Sequence, residues 1–481
     1  MSDRLRLVTR AADGTPTTIR DYENGTTFVK ARDSFGIASP AARPVQSADV
    51  RRYGGSRTVG ETHENGSIKW RSLVAGDSGD AVVENVEAML AELQTGAGGL
   101  FVEWRPDGTT ESAFYEVRGP GSYVVNYQWS EFAGARVLPV DIQVPIAPLA
   151  RGAVSETAVT SRVLPTVLEI DDVAGRAGAL ADVEMSFDAL SGDGSVRWAL
   201  AAWWPRQRTP TSGYAAPLGI HEAESIPLIS SSWGASTSGA GFSGGSGARC
   251  ASFGAEFVAA GVLIDMAAAD PDPFASTLDV EVFARVQIAS GVDEPFLYAS
   301  AAPMGSSILP TQVAADVPAG RFLREASSGS HFRLARLGVF TLPAGAAAGL
   351  WAIRVEGATG SDSDGAFDLD YVMVVPARSR CMSQTGRSYL SVRSFAPANG
   401  AAVATIRSDL TTTISEDGGT AHPSGGLGGA PIVLPNGDAD LLLAVSNMTP
   451  DAPDYPDASE LALYEMDITV TTTDLHRVAV G

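Results

Sequence analysis

Few residue patterns in this chain have the types and spacing that chemistry needs. Gly241-Phe242-Ser243-Gly244-Gly245 matches G-x-S-x-G. A nucleophile elbow holds that serine on a sharp turn between a buried strand and a helix. Here the match falls in a run of Ser, Gly, Ala and Thr with no helical pattern after it, so it reads as loop. Gly76-Asp77-Ser78-Gly79 resembles a serine-protease nucleophile segment, with His63 upstream. His63 and Gly76 are thirteen positions apart, too few to hold the barrel that separates histidine from serine in that fold. Ser78 also stands where a helix must start. The five histidines, His63, His221, His331, His422 and His476, are scattered, without H-E-x-x-H or any paired spacing, which argues against zinc. Lys30 and Lys69 are the only lysines, which all but excludes Schiff-base chemistry.

Two further groups point to binding. Asp362, Asp364, Asp368 and Asp370 cluster between strands, and Asp362-Ser363-Asp364-Gly365 looks like the opening of a calcium loop. An EF-hand would need glycine at the sixth position and an acid at the twelfth, which are Phe367 and Met373 here. That leaves a looser oxygen-ligand calcium site, against a solvated hairpin. Trp203, Trp204, Tyr214 and Trp233 lie close together in sequence and flank loops. Exposed aromatics stack on sugar rings. The structural alternative places these in the core of a strand from Val196 to Trp204. The acids Asp451, Asp454, Asp457 and Glu460 alternate with prolines and read as an exposed loop.

The elements that would hold such groups are mostly strands. Period-two alternation runs through Tyr123 to Trp129, Leu278 to Val286, Trp351 to Val355 and Tyr464 to Val470. Asn-Gly and Asp-Gly pairs such as Asn65-Gly66, Asp107-Gly108 and Asn436-Gly437 mark turns. One helix is expected from Ser78 to Gln94 (78–95 at its widest), with Val82, Val86, Met89, Leu90 and Leu93 as its apolar stripe and Gly96 as its stop. The expected fold class is therefore mainly β. An antiparallel N-terminal domain with one helix occupies 1–150. A jelly-roll-like sandwich follows at 151–376, and 377–481 is a second sandwich or completes the first. Loss of periodicity from Ala147 to Thr160 sets the first boundary. Ser230 to Gly247 and residues 410 to 430 read as long surface loops.

The 481 residues exceed one core. The formal charge of −22 disfavours nucleic acid and anionic membranes as partners. Cys250 and Cys381 form no framework and read as small buried hydrophobes. Met1-Ser2-Asp3-Arg4-Leu5-Arg6 has no apolar core of a secretory signal, and no run of eighteen apolar residues occurs. The expectation is a soluble protein made in the cytoplasm.

Residues 45 to 150 resemble the N-terminal domain of distal tail and minor tail proteins of long-tailed phages. The likeness rests on Val50-Arg51-Arg52-Tyr53-Gly54-Gly55-Ser56-Arg57, the strand Ser67 to Arg71, the helix after Gly76-Asp77-Ser78, Leu100 to Trp104, and the strand Val137 to Pro145. Later segments resemble jelly-roll modules attached to such proteins: Leu164 to Ile170, Asp368 to Pro376 and Leu434 to Leu441. The resemblance implies a non-enzymatic virion component at the tail tip. It would form a ring, often of six copies, between tail tube and baseplate hub. Arg51, Arg52, Arg57 and Arg71 are then candidate contacts to acids of a neighbouring copy. The alternatives are a carbohydrate-binding protein that recognises a host cell-surface glycan and, last, a glycan-degrading enzyme.

Overall fold

The computed structural model describes residues 4–23, 26–31, 34–38, 42–49, 56–63, 65–94, 99–125, 136–163, 165–187, 196–210, 212–225, 233–238, 246–253, 258–269, 277–288, 296–304, 312–313, 321–322, 332–345, 347–358, 365–377, 386–395, 402–407, 412–416, 419–420, 422–423, 426–429, 431–446 and 465–476. The described chain is mainly β, in antiparallel sheets with one α-helix. It divides into two compact units. Unit 1 holds 1–155, 174–179 and 472–481, and unit 2 holds 156–173 and 180–471.

Unit 1 contains β1 (Arg4–Arg10), β2 (Pro16–Asp21), β3 (Phe28–Lys30), β4 (Gly36–Ala38), β5 (Ala42–Asp49), β6 (Ser56–His63), β7 (Gly66–Ala75), α1 (Gly79–Gln94), β8 (Leu100–Arg105), β9 (Ala113–Glu116), β10 (Ser122–Val125), β11 (Val137–Ile146) and the start of β12 (Ala150–Val163). One sheet runs β2-β1-β8-β9-β12, and a second runs β10-β11-β7-β3 with β4 also on β7. The ribbon β5–β6 pairs with no other strand among the described residues.

The helix forms where its sequence pattern places it. Ser78 Oγ accepts the Ala81 N–H at 3.1 Å and caps its first turn. Gly76 is required for close approach: a Cβ there would lie 2.7 Å from the Val82 nitrogen. Val82, Val86, Met89, Leu90 and Leu93 are buried. They share one core with Ile68, Trp70 and Val74 of β7 and with Val140, Ile142 and Val144 of β11. Leu5, Leu7, Val102 and Tyr115 of the other sheet complete it.

Two short segments close unit 1 far from its other residues in sequence. Ala177 N–H donates to the Leu475 carbonyl at 2.9 Å, and Leu475 N–H donates to Gly178 at 2.8 Å. Gly175 N–H reaches Asp474 Oδ1 at 3.1 Å, and the Ser155 and Thr472 hydroxyls lie 2.6 Å apart. The chain passes between the units after Ser155, Val173, Ala179 and Thr471.

In unit 2, one sheet orders Thr166–Val173, Gly437–Ser446, Val196–Pro205, Gly386–Phe395 and Gly426–Gly429. Another orders Trp233–Ser238, Ser246–Phe253, Gly365–Pro376, Thr277–Ile288 and Phe332–Pro343. A third contains Val258–Asp265, Leu350–Ala358 and Phe296–Pro303. Side chains of all three meet in one buried cluster that includes Leu200, Trp204, Val262, Ile353, Val282, Met373 and Leu442. Strands beyond Pro376 add to sheets begun before it, since Gly386–Phe395 and Gly437–Ser446 both pair with Val196–Pro205.

Three stretches read as loop or linker fold as strand. Ala147 to Thr160 largely becomes β12, whose outer half is mostly exposed on both faces, so it shows no apolar alternation to read. Trp233–Ser238 pairs with Ser246–Phe253 inside the Ser/Gly-rich run, and Thr412–Glu416 lies in the Gly/Thr-rich one. Backbone hydrogen bonds build a ladder without large side chains, and composition alone does not register them.

Truncating Met89 to Ala is expected to lower the stability of unit 1 by about 2–5 kcal/mol. Val83→Ala, on the exposed side of the same helix, is expected to change it by less than about 0.5 kcal/mol. Hydrogen exchange of the helix amides reads both.

Candidate functional site

β7 alternates along its length: Ile68, Trp70 and Val74 point into the helix-covered core, while Lys69 and Arg71 are exposed. Its partner β11 runs in unbroken antiparallel register from Val137 opposite Ala75 to Ile146 opposite Gly66. Directly paired residues share a face, so Arg71, Asp141 and Val124 form one cross-strand row, and Lys69, Gln143 and Ser122 form the next. These rows, with Ala31 and Ser34, line an open groove of about 530 Å³.

At its centre Arg71 clamps Asp141 bidentately, Nε to Oδ1 at 2.7 Å and Nη2 to Oδ2 at 2.9 Å. The arginine's hydrogen bond holds the Asp141 carboxyl below its ordinary range, and the carboxylate raises the guanidinium in turn. Both side chains are nearly half exposed, 47% and 43%, so water screens the pair. Its contribution is orientation more than stability. The Ser34 hydroxyl accepts the Arg71 N–H at 3.1 Å and ties residue 34 to this strand. The groove is thus a surface of polar groups on a rigid sheet, bordered by the apolar β10. Such a surface suits docking. The hydroxyls of Ser34 and Ser122 in it donate to backbone carbonyls of Ala31 and Gln143.

Of the arginines expected at an interface, Arg71 lies in this groove and already has a partner in its own chain. Arg57 sits on β6, in register with Ala48. Arg51 and Arg52 lie outside the described residues. Asp141, Gln143, Tyr123 and Val124 were read only as parts of strands, not as site residues. The alternation from Tyr123 marked β10 as a strand, and the uncharged run Gly119 to Ser130 was the available signal that it could be a docking edge.

The expected sugar-stacking residues fall in unit 2. Trp203 and Trp204 are 2% and 1% exposed, so neither ring offers a face to solvent. Trp204 Nε1 donates to Asp440 Oδ2 at 3.1 Å, and Asp440 Oδ1 accepts from Arg206 Nε at 3.2 Å. Burial raises the Asp440 carboxyl while Arg206 and Trp204 pull it back. Tyr214 is half-buried, and Trp233 opens a strand, with its side chain outside the description.

Of the calcium candidates, Asp362 and Asp364 lie outside the described residues. Asp368 is buried and held bidentately by Arg249, with both distances 2.6 Å. Asp370 is buried against Arg285, whose guanidinium also lies 4.1 Å from the Phe332 ring centroid. These carboxylates act as cross-strand clamps. Among the described residues no group of three acids, histidines or cysteines could hold a metal ion. The protease-like Ser78 spends its hydroxyl on the helix cap, and the G-x-S-x-G segment 241–245 lies outside the described residues.

His221 is buried on the strand Gly219–Glu222, opposite Val372, with Nε2 3.3 Å from the Pro217 carbonyl oxygen. Burial pushes its pKa down to about 4, partly opposed by that carbonyl. The unfolded chain binds the proton first, near the ordinary value of about 6.5. Native stability therefore falls as pH drops from about 6.5 to about 4, by about 3 kcal/mol in all.

No family model matches the chain, and no curated protein matches it. Solved structures similar to it include the Dit (gp 19.1) protein of SPP1, described as a paradigm of hub adsorption apparatus in Gram-positive infecting phages. That likeness has 14% identity and a TM-score of 0.24, covering 44% of this chain and 72% of the other. The phage P2 baseplate in its activated conformation with Ca has 8% identity and a TM-score of 0.28, covering 98% of each chain. The N-terminal CBM22-1–CBM22-2 tandem domain of Paenibacillus barcinonensis Xyn10C has 9% identity and a TM-score of 0.19, covering 53% of this chain and 99% of the other. These scores are too low for a shared fold to follow.

In denaturant titrations between pH 7 and pH 4, His221→Gln is expected to lose about 3 kcal/mol less stability than the unaltered chain. Parallel curves for the two proteins would remove His221 as the cause.

Proposed function

We propose that this chain is a structural protein of a long-tailed phage tail, a distal tail or minor tail component. In this reading it assembles as a ring of copies, six by the resemblance, between the tail tube and the baseplate hub at the tip of the virion. The observation that carries it is the way the resembling segments fold. The strand Ser67 to Arg71, the helix after Gly76, the strand Leu100 to Trp104 and the strand Val137 to Pro145 all contribute to a single core in unit 1. They would be a chance collection of patterns if they lay apart.

The ribbon β5–β6 adds support. An isolated two-stranded ribbon is marginally stable in water, and this one hydrogen-bonds to no other strand among the described residues. A neighbouring copy would give it a surface to pack on. Arg57 of β6, with Arg51 and Arg52, which precede it in sequence and lie outside the described residues, are the candidates to meet acids of that neighbour, as an acidic chain readily supplies.

Purified protein examined by negative-stain microscopy and light scattering is expected to give annular particles with a mass several times that of one chain. A chain that stays monomeric at high concentration and binds no tail-tube or baseplate protein would sink the reading.

A further inference from the structure

Among its described strands unit 1 has sheet edges at β2, at β10 and at the three-residue strands β3 and β4, besides the ribbon β5–β6, and the two longer sheet edges, β2 and β10, are built differently. β2 opens with Pro16, and its pairing with β1 shifts between Leu7 and Val8, so that Ile19 faces no partner residue. A proline and a bulge are devices that keep an edge from accepting another strand. β10 has neither. It pairs with β11 in continuous register from Ser122 opposite Gln143 to Val125 opposite Val140. Tyr123 is 40% exposed and Val124 66%. Successive strand residues point to opposite faces, so β10 shows apolar surface on both sides of a backbone edge that no other strand among the described residues pairs with.

The charge pattern says what can dock there. The chain carries −22, yet no charged residue occurs from Gly119 to Ser130. Two copies of so acidic a molecule repel each other, and their approach costs least along an uncharged strand. Beside β10, Arg71 and Asp141 neutralise one another.

We propose that this edge of β10 is where a second copy of this chain adds a strand to the sheet, burying Tyr123 and Val124. The claim rests on the ring reading and gives that ring one of its surfaces. Backbone hydrogen bonds along β10 supply attraction, and the two side chains supply apolar burial. A contact between an edge on one copy and a different surface on the next is heterologous, the kind that closes rings.

The test compares the unaltered chain with Val124→Lys and with Ile19→Lys at the protected edge, by light scattering and native mass spectrometry over a concentration series. Both substitutions are at exposed positions, and circular dichroism checks that each variant keeps the fold. Ile19→Lys is expected to assemble as the unaltered chain does. Val124→Lys is expected to need about tenfold or more higher concentration. Hydrogen exchange on the unaltered chain supplies a second readout that needs no variant: amides of residues 122–125 should slow on assembly. Normal assembly of Val124→Lys, with 122–125 exchanging equally fast in monomer and assembly, overturns the proposal and leaves the ring standing. An unaltered chain that never assembles overturns both.

Discussion

The register between β7 and β11 is the constraint on which unit 1 depends. Because side chains alternate with period two, a slip of one residue on β7 would turn Lys69 and Arg71 into the helix-packed core and expel Trp70, while a slip on β11 would turn in Asp141 and expel Ile142. Either slip buries charge in that core, and that cost makes the register unique. Ten consecutive pairs hold it, and the row Arg71, Asp141 and Val124 follows on the other face. The helix core and the groove are two consequences of one alignment.

Arginine performs a similar task across both units. In unit 1, Arg6 meets Asp21 at 2.8 Å, and Arg20 grips Glu92 of the helix. In unit 2, Arg249 holds Asp368, Arg285 holds Asp370, Arg336 holds Glu281, and Arg206 holds Asp171 and Asp440. The planar guanidinium reaches a carboxylate through two parallel hydrogen bonds where an ammonium offers a point charge. With two lysines in the chain, most of the positive charge is of the kind that staples strands. Arginines spent inside the sheets leave the surplus acids to the surface, which is why uncharged stretches such as the one holding β10 stand out.

Local signals made part of this legible in the sequence. The helix could be read because its stripe, cap and flanking glycine lie within one window of chain, and the buried stripe is the expected one. Strands with strong alternation, such as Thr277–Ile288 and Leu350–Ala358, were equally plain. What escaped depends on partners far away. Asp141 lies seventy residues from Arg71, and nothing near either residue announces the pair. Trp204 and Asp440 meet across 236 residues, so an aromatic pair that suggested a sugar platform is core. Asp368 and Asp370 suggested a calcium loop because their arginines come from other strands. β12 was hidden because a strand exposed on both faces leaves no apolar rhythm.

The fourfold passage of the chain between its units has a consequence for how the molecule breaks. A protease that nicks the chain once just after Ser155 severs the covalent link there, but the Ser155 hydroxyl still lies 2.6 Å from that of Thr472, and Ala150–Val163 is the sheet neighbour of Glu465–His476. The first fragment would stay attached until the strand that carries Thr472 was also pulled free. Damage of that kind would show on a denaturing gel long before it showed in the folded protein.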